Sequence, residues 1–118
     1  MTHTKTPPRV IRPEDAHFVP RAQDGDMAQL AEICGTRDGT ELGAGYARLT
    51  NARINWTVKY DEVLVVVEGK VRVHTKHGVL EAGPRDTVWL PEGTELTYEA
   101  ENALIVWAIH PADWAERA

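Results

Sequence analysis

Glu62 and Tyr60 are the residues of this chain whose types and spacing best suit them to handle a proton. They stand two positions apart, so in an extended segment their side chains leave the same face, together with those of Val58 and Trp56. A carboxylate beside a phenol can serve as a general acid/base pair or anchor a polar ligand. An ionised carboxylate in apolar surroundings is costly unless it is paired. Glu62 therefore needs a partner, and Tyr60, Tyr98 or backbone N–H groups could supply one for purely structural reasons.

The other chemistry-bearing residues are dispersed. Cys34 is the lone cysteine, which excludes an internal disulfide. No histidine or basic residue marks it as a nucleophile, and it reads as a buried structural thiol. His3 falls in a polar tail and His17 in an early loop. His74 and His77 flank a turn on the surface, while His110 ends a strand just before Pro111. Gly69, Gly78, Gly83 and Gly93 read as turn residues. No glycine-rich loop opens a helix, so a P-loop nucleotide site is excluded.

The elements that carry these residues are short apolar segments cut by turns. Segments at Gly43 to Thr50, Arg53 to Lys59, Asp61 to Glu68, Val71 to His74, Val79-Leu80, Thr87 to Leu90, Glu95 to Glu99 and Ala103 to Ile109 predict strands. Spacings of roughly 8–12 residues point to a β-sandwich or barrel. Met27 to Cys34 fits a helical stripe and a strand alternation, and its β-rich context favours the strand. Residues 1–20 predict a tail or arm and residues 21–118 the barrel, with one helical turn near Ala112 to Arg117.

A length of 118 residues with 42% apolar content is enough for one core. The net charge of −5 and the scattered Lys and Arg argue against nucleic acid. No apolar run approaches the ~20 residues of a membrane helix. No signal-peptide h-region is present, and the expected location is cytoplasmic.

Two blocks carry a family signal. Trp56-Thr57-Val58-Lys59-Tyr60-Asp61-Glu62 with Gly69, and Asp86 to Leu96 with its Pro91-Glu92-Gly93 turn, resemble the two motifs of the cupin superfamily. The string WTVKYDE, Gly43-Ala44-Gly45-Tyr46 and Pro111-Ala112-Asp113-Trp114 are similar to the EutQ-type cupins of ethanolamine utilisation. The resemblance implies an all-β, single-domain cupin (a double-stranded β-helix or jelly-roll barrel) with an extended N-terminal arm. It also implies a homodimer, and in some members a proposed acetate kinase activity. In metal-binding cupins two histidines precede the Glu and a third closes the second motif. Trp56, Val58 and Leu96 stand at those places here, and such side chains cannot ligate a transition metal.

If Glu62 faces the barrel as cupins imply, Tyr60, Val58 and Trp56 follow it, and Leu96 and Tyr98 share the inward face of their own strand. The expected site has Glu62 and Tyr60 as catalytic residues, Trp56, Tyr98, Leu96 and Val58 against the ligand, and no metal or other cofactor. No Arg or Lys is placed on the inward face, so a small amine or amino alcohol is favoured over acetate and ATP. Beyond Glu62, only Asp86 offers itself to a Mg²⁺ ion. Three readings stay open: an amine-related catabolic enzyme, a EutQ-like acetate kinase, and a non-catalytic metabolite-binding or assembly module. Partners expected are a small-molecule ligand and a second copy, with Met27 to Cys34 in the interface, and neither nucleic acid nor membrane.

Overall fold

Residues 5–117 are described by a computed structural model, which leaves His3 outside the described part. A one-turn 3-10 helix at Pro13–Asp15 precedes β1 (Val19–Pro20), and a second at Ala22–Asp24 precedes β2 (Ala28–Cys34). After a turn at Thr36–Asp38 come β3 (Gly43–Thr57), β4 (Asp61–Gly69), β5 (Val71–Thr75), β6 (Gly78–Ala82), β7 (Thr87–Leu90) and β8 (Glu95–His110). The chain closes on a 3-10 turn at Trp114–Glu116. The strands run in the order β1-β2-β3-β8-β4-β7, and β5 joins β6 to β8. The architecture is all-β, as expected, and the ambiguous stretch after Met27 is strand β2.

Two of the expected breaks are not breaks. β3 and β8 each run through a corner that the sequence presents as a turn, at Asn51 and at Glu101-Asn102. Asn51 takes a left-handed φ of 42°, and the β3–β8 ladder steps from Thr50↔Asn102 to Ala52↔Ala100. Asparagine tolerates that conformation, and the skipped pair turns the strand as a bulge does. Buried positions on β3 are accordingly odd before the corner (Gly43, Gly45, Ala47, Leu49) and even after it (Ala52, Ile54). Each long strand thereby serves both halves of the barrel: β8 pairs with β5 before its corner and with β4 after it.

Leu64, Leu90, Val58, Val66, Val71 and Val73 are fully buried at the centre. The N-terminal arm lies against the outside of the sheet. Arg9 donates to Ile33 O (2.6 Å) and meets Asp38 (3.3 Å), the Tyr46 hydroxyl donates to Ile11 O (2.7 Å), and Arg48 sits 5.4 Å from the Phe18 ring. Tyr46 and Arg48 occupy the outward positions of β3, so the arm shields the β2–β3 face.

Candidate functional site

A cavity of about 170 Å³ lies on the inner face of the barrel, lined by aliphatic side chains and by Tyr60, Glu62, Tyr98, Trp107, Trp114 and Arg21. Glu62, near the start of β4, pairs with Ile109 on one side and Leu90 on the other, and it is 6% exposed. Such neighbours give a carboxylate little solvation. Its partner is the Tyr98 hydroxyl, which donates to Oε1 at 2.7 Å. Burial pushes the Glu62 carboxyl up to about 7, against a smaller lowering by the Tyr98 hydrogen bond and the Arg21 charge. Burial, then the Glu62 charge, pushes Tyr60 up to about 12, and the same causes raise Tyr98. Both phenols therefore stay protonated donors at neutral pH, where Glu62 exchanges its proton.

The two sequence motifs meet at the link between β3 and β4. Val58 N–H donates to Thr94 O (2.9 Å) and Gly93 N–H donates back to Val58 O (2.8 Å), which pins this link to the turn after Pro91. Tyr60 leaves the link beside the cavity. Its hydroxyl accepts from Trp56 Nε1 (3.2 Å), and Trp114 packs edge-on against both Tyr60 (5.2 Å) and Trp56 (5.8 Å). The Arg21 guanidinium lies 5.1 Å from the Trp56 ring and pairs with Asp24 at 2.5 Å.

The structure thus gathers Glu62, Tyr60 and Tyr98 around one cavity. Trp56 stands behind Tyr60 and, with Leu96, walls a separate shallow groove. Val58 and Leu96 are buried in the apolar core and do not line the cavity. The expected alternation holds across the break between β3 and β4, with Val58, Tyr60 and Glu62 buried and Lys59 and Asp61 exposed, but of this inward set only Tyr60 and Glu62 reach the cavity. Arg21 corrects the expectation that no cation faces inward; it arrives from the strap before β2, and nothing in its local sequence announces this. Trp107 had a signal, since it alternates with the inward Ile105 and Ile109 on β8. Gly45 makes room for it: a Cβ there would come within 2.5 Å of the Trp107 indole.

The remaining candidates lie elsewhere. His74 pairs with Glu99 (2.7 Å) among Arg53 and Arg72, and that hydrogen bond holds the Glu99 carboxyl below its usual range. His17, His77 and His110 do not line the cavity. Cys34 is half-buried rather than buried, and its thiol, raised chiefly by burial, faces Leu42 O at 3.5 Å. Asp86 is exposed, accepts from Gly83 N–H (2.9 Å) within a turn, and does not line the cavity. An indole and two aliphatic side chains occupy the cupin ligand places, and among the described residues no three His, Cys, Asp or Glu gather as a metal would need. The cupin metal does not fit these residues.

A sequence model of the ethanolamine utilisation protein EutQ family matches residues 15–116, nearly the whole chain. The chain belongs to the EutQ family. A relative from Salmonella typhimurium, "Acetate kinase EutQ", is 27% identical over 86 residues, covering 72% of this chain and 38% of its own length. Another of that name, from Clostridioides difficile, is 20% identical over 118 residues, covering 99% of this chain and 74% of its own length. The chain thus spans under two fifths of the Salmonella relative. Among solved structures, a putative ethanolamine utilization protein Q from Salmonella typhimurium superposes with a TM-score of 0.81 at 24% identity, covering 87% of this chain and 85% of its own. An RmlC-like cupin from Shewanella frigidimarina gives 0.71 at 14% identity, covering 90% and 93%. The cupin fold is therefore shared with these solved structures, whose identities speak for the fold alone.

Proposed function

We propose that the barrel is a metal-independent site for a small polar metabolite of amine-related catabolism, in which Glu62, held by the Tyr98 hydroxyl, takes or returns a proton of the bound molecule beside Tyr60. The observation that carries this reading is a carboxylate 6% exposed, hydrogen-bonded to a phenol, in a largely apolar cavity. A carboxyl titrating near 7 is suited to proton transfer at neutral pH. An apolar cavity of ~150 Å³ accommodates benzene, so about 170 Å³ suits a molecule of roughly six to eight heavy atoms.

The name of the relatives makes phosphoryl transfer to acetate the second reading. That chemistry calls for metal ions and cationic clamps on the phosphates. Arg21 is the one Arg or Lys lining the cavity among the described residues, and the volume is small for a nucleotide. A thermal-shift series at pH 7.5 with ethanolamine, propylamine, acetate, and ATP with Mg²⁺ tests the choice. The amines are expected to raise the melting temperature of the wild type and not of Glu62→Gln. Stabilisation by acetate or Mg-ATP, with the amines inert, would replace this reading with phosphotransfer.

We propose also that the protein is a homodimer, as its family resemblance implies. β1 pairs only with Gln29 and Leu30, which leaves much of the β2 edge open to a second copy. Light scattering at micromolar concentration is expected to give the mass of two chains, and the mass of one would overturn the proposal.

A further inference from the structure

Arg21 is the lining residue for which acid/base work at Glu62 provides no task. It reaches the cavity from the strap between β1 and β2, which is tied at both ends: Arg21 N–H donates to Ala28 O (3.0 Å) and Met27 N–H to Asp24 O (2.9 Å). The guanidinium is held in place by the Trp56 ring and by one ion pair, from Nη1 to Asp24. Guanidinium carries five N–H donors, and the others find no acceptor among the described residues. A second donor on the same cavity is idle, since Trp107 Nε1 is buried with no partner.

The cavity thus offers unused donors from Arg21 and Trp107, and an acceptor at Glu62. A simple amine would satisfy Glu62 and leave Arg21 facing a like charge. A simple carboxylate would satisfy Arg21 and face Glu62. A molecule with an ammonium at one end and a carboxylate at the other meets both, because a guanidinium binds a carboxylate through two parallel N–H bonds. We propose that the cavity takes a small zwitterionic amino acid, with its ammonium at Glu62 and its carboxylate at Arg21. Asp24 then competes with the ligand carboxylate for the guanidinium. This inference rests on the small-molecule reading above and assigns its ligand class.

The test is calorimetric titration of the full chain at pH 8 with β-alanine and 4-aminobutyrate, and with propylamine and propionate as half-ligands. The better zwitterion is expected to bind about tenfold or more tighter than either half-ligand, the scale of one charge-assisted hydrogen-bonded contact. Arg21→Gln should reduce its affinity to that of propylamine, Arg21→Lys should keep part of the gain, and Glu62→Gln should reduce it to that of propionate. Asp24→Asn should tighten zwitterion binding several-fold and leave propylamine unchanged, a gain that misfolding cannot produce. If Arg21→Gln leaves the preference intact, or propylamine binds as tightly as the zwitterions in a Glu62-dependent way, the inference is overturned while the small-molecule reading stands. If none of the four probes binds the wild type, both fall.

Discussion

Replacing Glu62 by Gln is expected to remove a large part of the pH dependence of stability while weakening ligand binding. Its carboxyl titrates at about 7 in the folded protein, raised by burial from the ordinary 4.5. A raised carboxyl contributes stability that is fully present below 4.5 and is lost as the pH rises through 7. The loss by pH 8 is about 3 kcal/mol, at 1.36 kcal/mol per pH unit of displacement. The Gln side chain has no charge to lose, and its oxygen can still accept from Tyr98. Urea unfolding of wild type and Glu62→Gln from pH 5 to pH 8 gives the difference between them, which cancels the carboxylates that titrate in the opposite sense, such as Asp38 and Glu99. That difference should move in favour of the variant as the pH rises. A difference that stays constant across the range would show that the cavity does not desolvate Glu62. A variant gaining stability at pH 8 while losing ligand would mark Glu62 as a residue kept for function at the expense of the fold.

Gly69→Ala is expected to be the most damaging glycine replacement in the barrel. Gly69 ends β4 with φ +80°, where an L side chain costs about 1–2 kcal/mol. A Cβ there would also lie 2.1 Å from the Asn102 carbonyl oxygen, at the β8 corner. Backbone cannot swing aside as a side chain can, so the strand carrying Glu62 would have to part from β8. The expected total is about 3 kcal/mol or more, or a fall in melting temperature of roughly 10 °C. Gly93→Ala is the control: its φ is +93°, but no atom lies within 4 Å of the added Cβ. It should cost about 1 kcal/mol, the conformational part alone. Equal losses in the two variants, measured by thermal unfolding, would refute the close approach at Asn102.

Local sequence carried much of the architecture. Alternation and turn residues along the chain are properties of a few neighbouring positions, and they mark most strands and the turns at Gly69 and Gly93. The corners at Asn51 and Glu101-Asn102 were misplaced because polar residues that close a hairpin can equally bend a strand that continues. Pairing with a distant strand decides which, and here β3 and β8 hold each other through the bend. The candidate site divides the same way. Glu62 and Tyr60 were legible because one motif block carries them, and Tyr98 because it alternates with Leu96 on the strand that leaves the second block. Val58 and Leu96 face inward as the alternation predicts, but they pack into the apolar core and the cavity lies beside other inward residues, which alternation alone does not decide. Part of the cavity lining was decided by tertiary structure alone. Arg21 and Trp114 come from opposite ends of the sequence, and they meet Trp56 and Tyr60 only because the rolled sheet brings those segments to one cavity. A side chain's charge is written in the sequence, but the groups it faces across a barrel depend on how distant strands pair.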